Sequence, residues 1–178
     1  MNAGNVFFSH DESRWMRSAV YKWYGISPER SSRKQITYVT RCCKSARYNE
    51  NDNEVVDALK SVSSATVLAK FDGMSFEMQV RLMVDTTLLI SIHGAQLTNL
   101  MFMHPGSSVI EIFNPFLKID CYERLSKVCE MQYTAFRGTT IAAEIPIEIR
   151  KKWWNPMLNY HTVVNTTLLL PIVEHYMQ

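Results

Sequence analysis

The run Leu88-Leu89-Ile90-Ser91-Ile92-His93-Gly94 limits the possible folds more than any other part of this chain. A short aliphatic run broken by histidine and glycine reads as a buried strand that stops abruptly. A helix-like stretch, Leu97 to Phe102, follows at once. A strand that delivers a polar turn to the start of a helix suits an anionic ligand. Helix N-termini present unpaired N–H groups and a partial positive charge. Function is therefore expected at the carboxyl ends of strands, around His93.

The remaining segments extend this pattern. Ser9 and Glu12 form a capping-box signature for a helix running to about Tyr24, with Trp15, Val20 and Trp23 expected on its buried side. Gly25 ends it, and Pro28 to Lys34 is a loop. Ile36 to Thr40 is β-branched and aromatic, a strand signal, and leads into the polar connection Arg41 to Glu50. Asn51 or Asp52 caps a helix to Lys60 with Val55, Val56 and Leu59 inward. Thr66 to Phe71 is a strand. Ser75 caps a helix to Val84 with Phe76, Val80 and Met83 on one face. Pro105-Gly106 turns the chain into the strand Ser108 to Phe113. Asp120 to Glu130 reads as a helix, Met131 to Phe136 as a strand, and Arg137 to Tyr160 as irregular, with Trp153 and Trp154. Asn165 or Thr166 opens a last helix.

Strands and helices thus alternate. The expected fold is α/β: a doubly wound, mostly parallel sheet with helices on both faces. Ligands in such sheets sit beyond the carboxyl ends of the strands. Residues 1–35 are read as an N-terminal helix and connecting loop, and 36–178 as the ligand-binding domain with a closing C-terminal helix.

A length of 178 residues suits one domain with a real core. A net charge of +2 argues against nucleic acid as the main partner. Charge is uneven, however: nine basic residues between Arg14 and Arg47 face Glu29 alone, giving a positive stretch beside the expected anion site. The four cysteines have no zinc-ligand spacing. Cys42 and Cys43 are adjacent. Cys121 and Cys129 are eight positions apart on one expected helix, about 12 Å of rise, beyond disulfide reach. Met1 to His10 lacks the apolar core of a signal peptide, and no stretch is long and apolar enough to span a bilayer. One glycosylation sequon occurs, Asn165-Thr166-Thr167.

Several residues could serve chemistry at the strand ends. His93 can hydrogen-bond a phosphate or sugar oxygen, and Gly94 permits a positive φ or a close backbone approach. Thr98 and Asn99 lie in the first turns of the next helix. Arg41, immediately after a strand, and Arg47 in the same loop suit a diphosphate, since guanidinium makes paired charge-assisted hydrogen bonds. Asn49 and Glu50 follow them. Glu111 sits inside an apolar strand and needs a partner: sugar hydroxyls of a nucleotide, or a neighbouring Lys or Arg. The chain has no G-x-G-x-x-G, no G-x-x-x-x-G-K-[ST] and no G-x-S-x-G. Dinucleotide enzymes, P-loop proteins and α/β-hydrolases are disfavoured.

Taken in order, these residues resemble the carboxyl-terminal domain of glycosyltransferase family sixty-one. The resemblance rests on Ile36 to Arg41, Arg47-Tyr48-Asn49-Glu50, Met74-Ser75-Phe76 and Ile92-His93-Gly94-Ala95-Gln96-Leu97-Thr98-Asn99. It continues through Phe102, Pro105-Gly106 and Val109-Ile110-Glu111-Ile112-Phe113. The family usually has glycine at the position of Gln96; its O-mannose N-acetylglucosaminyltransferase branch resembles this chain in His-Gly-Ala-Gln-Leu. The resemblance implies the Rossmann-like, donor-binding half of a GT-B-like enzyme. The reaction would be inverting transfer from a UDP-sugar to an acceptor hydroxyl on a protein or glycan, with no cofactor and no residue assigned as a metal ligand. It implies catalytic roles for His93, Arg41 and Arg47. It implies donor contacts from Asn49, Glu50, Gly94, Ala95, Gln96, Leu97, Thr98, Asn99 and Glu111. It also implies a longer protein of the secretory lumen (endoplasmic reticulum or Golgi), with an amino-terminal half that supplies acceptor contacts and a membrane anchor. The alternative is a non-catalytic module that binds a nucleotide sugar or another phosphate ligand.

Overall fold

A computed structural model of the chain describes residues 9–41, 48–117, 119–139 and 161–178. Five strands form one sheet: β1 (Gln35–Val39), β2 (Thr66–Ala69), β3 (Thr86–Ile92), β4 (Ser108–Phe113) and β5 (Gln132–Arg137). Among the described residues the helices are α1 (His10–Trp23), α2 (Asp52–Val62), α3 (Phe76–Asp85), α4 (Cys121–Val128) and α5 (Thr166–Met177). The stretch after Gly94 is a 3-10 helix, Ala95–Phe102.

Every strand pairing is parallel, and the order is β2-β1-β3-β4-β5. The expected doubly wound sheet is therefore present. Alternate strand residues split the core into two layers. On one face Ile36, Tyr38, Leu88, Ile90 and Ile112 pack with Val55, Leu59, Leu169 and Val173 of α2 and α5. On the other, Val39, Leu89 and Val109 pack with Val80 and Met83 of α3, Leu97 and Leu100 of the 3-10 helix, and Leu125 of α4. The inward positions of α2 (Val55, Val56, Leu59) are the ones its periodicity predicts.

The first helix corrects its sequence reading. Its capping box is present: the Glu12 N–H donates to Ser9 Oγ at 3.2 Å, and the Ser9 N–H to Glu12 Oε2 at 2.9 Å. The buried face is not the tryptophan face, because Trp15 and Trp23 are 70% and 83% exposed. Ser13, Arg17 and Tyr21 are buried instead. The reason lies in the end of the 3-10 helix, whose last carbonyls need donors. Arg17 Nε donates to the Met101 carbonyl at 3.0 Å, and the Tyr21 hydroxyl to the Phe102 carbonyl at 2.7 Å. Arg17 Nη2 also reaches the Cys129 carbonyl at 3.3 Å. Hydrogen bonding, not apolar periodicity, chooses which face of α1 turns inward.

Two further expectations change. Phe76, assigned to the buried face of α3, is half exposed, while Val80 and Met83 of that face are buried. Asn51 does not cap α2 with its side chain. Its amide is held by Val164 instead, accepting from the Val164 N–H at 2.9 Å and donating to that residue's carbonyl at 2.8 Å. Cys121 and Cys129 are free thiols, and burial pushes the Cys129 thiol up to about 11. Cys42, Cys43, Trp153 and Trp154 lie outside the described residues.

Candidate functional site

The strand order reverses between β1 and β3. From β1 the chain crosses to α2 and then to β2 on one side; from β3 it runs to the 3-10 helix and β4 on the other. The segments leaving these two neighbours pass to opposite faces of the sheet, and in such folds the crevice for ligands lies between them at the carboxyl ends. Arg41 stands two residues beyond the end of β1, and His93 and Gly94 directly follow β3. The topology therefore places Arg41, His93 and Gly94 at neighbouring strand ends.

Arg41 reaches across to the β3 turn. A Cβ built on Gly94 would lie 2.7 Å from Arg41 Nη1, 3.3 Å from its Cζ and 2.8 Å from Gln96 Oε1. Gly94 is thus required by close approach, not by φ, which is 166° and extended. Arg41 Nη1 is buried with no hydrogen-bond partner. Burial lowers the guanidinium pKa from its ordinary value, against the opposing pull of Asp72 and Tyr122. A buried, unpaired N–H on a cation is costly unless an acceptor, here an anionic one, completes it.

His93 is 6% exposed. Its backbone N–H extends the β4 pairing to the Ile112 carbonyl at 2.8 Å. Its Nδ1 makes a short hydrogen bond to Glu111 Oε1. The ring stacks on Phe113 at 5.3 Å between centroids and meets Tyr122 at 5.4 Å. Glu111 is fully buried, and its other oxygen, Oε2, accepts from the Tyr133 hydroxyl at 2.6 Å. The candidate partners for Glu111 were sugar hydroxyls or a Lys or Arg; it is held by a histidine and a tyrosine. Tyr133 lies opposite Val109, two positions before Glu111 in the β4–β5 register, so it is a diagonal neighbour. Burial, then the Glu111 charge, raises the Tyr133 pKa far above the usual phenol range.

The turn itself is ordered by Gln96. Its Nε2 donates to Ser91 Oγ at 3.1 Å and to the Ile92 carbonyl at 3.2 Å. The Leu97 N–H donates to the Gly94 carbonyl at 2.9 Å, closing the first 3-10 turn. The N–H groups of Ala95 and Gln96 precede that bond and stand outside the ladder. Ala95 is exposed at the turn. Leu97 is fully buried in the core, so its side chain is unavailable to a donor; the aliphatic core position overrides its place in the motif. Thr98 and Asn99 are half-buried, and Asn99 Nδ2 donates to Gln79 Oε1 of α3 at 3.1 Å.

Asn49 and Glu50 end the same connection that Arg41 begins. Asn49 is buried; its Nδ2 donates to the Tyr38 hydroxyl at 3.2 Å, while its Oδ1 has no partner. The Tyr38 and Thr40 hydroxyls both make short hydrogen bonds to Asp52 at the start of α2. Glu50 Oε1 pairs with His161 Nδ1 at 2.8 Å. Arg47 lies outside the described residues. Among the described residues no three His, Cys, Asp or Glu side chains gather to hold a metal ion, and no helix is long and apolar enough to cross a membrane.

Sequence reasoning missed Tyr133, Ser91 and Asp72. Ser91 Oγ donates to the Val39 carbonyl at 2.9 Å and ties β3 to β1 at the crevice. Ser91 lies inside the β3 run without being singled out, Tyr133 and Asp72 stand in no motif, and their relevance follows only from strand order.

Comparison with known proteins agrees with this geometry. Residues 2–110 match the family model described as Glycosyltransferase 61. The EGF domain-specific O-linked N-acetylglucosamine transferase of Canis lupus familiaris is 34% identical over 104 residues, covering 56% of this chain and 20% of that protein. The same-named protein of Rattus norvegicus is 37% identical over 81 residues, 43% of this chain and 15% of that protein. The Protein O-linked-mannose beta-1,4-N-acetylglucosaminyltransferase 2 of Xenopus laevis is 34% identical over 96 residues, 50% of this chain and 16% of that protein. The matched stretches amount to a fifth or less of the length of these relatives. Because the match to this family model spans more than half of the chain, the chain belongs to the glycosyltransferase 61 family.

Proposed function

We propose that this chain is the donor-binding half of an inverting glycosyltransferase that uses a UDP-sugar and works in the lumen of the secretory pathway. The observation that carries the reading is the unpaired, buried Nη1 of Arg41, held against Gly94 beside His93 at the strand-order reversal. An anionic diphosphate is the ligand class that would complete it. In the reaction an acceptor hydroxyl oxygen forms a bond to the sugar's anomeric carbon as the bond to the diphosphate breaks. Negative charge grows on the leaving diphosphate. Arg41, His93 and the N–H groups of Ala95 and Gln96 are fixed before that charge develops, and such preorganised donors lower the barrier. Asn49 and Glu50 border the same entrance in this reading, with Thr98 and Asn99 on its helical side. The acceptor is a protein or glycan, and the relatives' names make N-acetylglucosamine the first sugar to test.

Calorimetry with UDP and UDP-N-acetylglucosamine tests the site. Arg41→Ala and His93→Ala each weaken binding by at least about 1 kcal/mol, the size of a charge-assisted hydrogen bond. Unchanged affinity in both variants refutes the site. In a thermal-shift screen, stabilisation by a different nucleotide and not by UDP compounds refutes the donor class.

A further inference from the structure

Glu111 is a carboxylate with no exposed surface in the centre of a parallel sheet, and His93 is its one ion-pair partner among the described residues. Both of its oxygens are taken, each by a donor from a different flanking strand: His93 Nδ1 beyond the end of β3, and the Tyr133 hydroxyl of β5. From this arrangement we infer that Glu111 and Tyr133 are positioning residues for His93. The Tyr133 hydroxyl occupies one carboxylate oxygen, the other accepts from Nδ1–H, and Nε2 becomes the nitrogen offered to the ligand. The inference rests on the donor-site reading above and adds how its histidine is set.

Two arrangements fit the same short contact, and the Tyr133 hydrogen bond favours one of them. One is a carboxylate accepting from Nδ1–H; the other is a carboxylic acid donating to a bare Nδ1. A phenol has one proton, and here it goes to Glu111 Oε2. A hydrogen bond donated to a carboxyl oxygen favours its charged, acceptor-only form. That form requires Nδ1–H, and the tautomer at one ring nitrogen is set by what the other bonds. Ring rotation does not undo this choice. Phe113 stacks on His93 with an interplanar angle of 21°, and Tyr122 meets the ring at 59°. Nε2 has no hydrogen-bond partner among the described residues, whereas Nδ1 is committed. With Nδ1–H committed to the carboxylate, the protonated ring presents Nε2–H, and that is the donor His93 offers to the diphosphate.

The test combines a spectroscopic signature with a thermodynamic cycle. In the wild-type chain, the 15N shifts of the His93 ring are expected to show a protonated Nδ1 at neutral pH. With UDP as the probe, Glu111→Gln is expected to weaken binding about tenfold and Tyr133→Phe about threefold. In a His93→Ala background, Glu111→Gln is expected to change UDP affinity by less than about twofold, because its effect acts through the ring. A bare Nδ1 in the wild-type spectrum overturns the inference, whatever the folding of the variants. So does a double variant about tenfold weaker than His93→Ala alone. A wild-type chain that binds no UDP overturns the donor reading, and this inference with it. A UDP-binding chain with independent effects overturns this inference alone.

Discussion

The guanidinium of Arg41 lies directly over the backbone of Gly94, with Nη1 2.7 Å from where a Cβ would stand. The two residues are fifty-three positions apart and share no element; adjacency of β1 and β3 joins them. A methyl group at position 94 must displace the end of the arginine or the Gln96 amide. The backbone at 94 is extended and accepts alanine without strain. Gly94→Ala is therefore expected to weaken UDP binding by about 1–2 kcal/mol, the loss of one charge-assisted hydrogen bond, with little change in melting temperature. Calorimetry and thermal melts on one sample separate the two effects.

Arg41 itself gives the opposite pattern. Its buried Nη1 has no partner, and burial already lowers its pKa. Arg41→Met removes that unpaired group while keeping bulk. Stability of the ligand-free chain is expected to stay level or rise by about 1 kcal/mol in urea titrations, while UDP binding is lost. A clear loss of stability would show that the guanidinium serves the fold.

The polar face of α1 should matter more than its tryptophans. Tyr21→Phe leaves the buried Phe102 carbonyl unpaired and is expected to cost about 1–2 kcal/mol in chemical denaturation. Burial raises the Tyr21 phenol to about 12, so this bond persists through neutral and moderately alkaline pH. Trp23→Gln, on the exposed face, is expected to stay within about 0.5 kcal/mol of wild type.

His104 supplies a pH dependence with a definite sign. It is buried, its Nε2 has no partner, and its ring meets Tyr21 edge-on at 5.8 Å. Burial, then Arg30 and Arg17, lower its pKa, with Asp85 opposing. The unfolded chain therefore takes up this proton at a higher pH than the folded one. Stability from this residue is complete above the ordinary histidine range, about 6.5, and falls as pH drops below it. His104→Phe, which keeps the ring contact, is expected to flatten stability against pH between about 7 and 5. An unchanged slope in urea melts would assign it to other groups.

The proposed residence in the secretory lumen has its own check. Asn165 is exposed and accepts the Leu168 N–H through Oδ1 at 3.2 Å, which leaves Nδ2 free for a glycan without loss of the cap. Protein isolated from its own cells is expected to shift on gels after N-glycan removal, and Asn165→Gln is expected to abolish the shift. A native protein without that glycan would count against the compartment.

Much of the fold was legible because local signals agreed. The strand at 88–92, the Ser9–Glu12 box, the Ser75 cap and the inward face of α2 each follow from spacing alone. The site was half legible. Arg41, His93 and Gly94 stand at strand ends, where the fold class directs attention. What could not be read is pairwise. Nothing at position 133 announces a phenol for Glu111 until β5 is known to flank β4. Nothing at Arg17 or Tyr21 reveals that carbonyls await them, so the tryptophans drew the buried face instead. Leu97 belongs to the motif by position and to the core by packing.

Because β1 and β3 are neighbours whose outgoing segments diverge, the entrance between them is a property of connectivity. No side chain has to be sacrificed to keep it open. Drift in the surrounding loops can therefore change what the entrance admits while its rim stays where the strands put it.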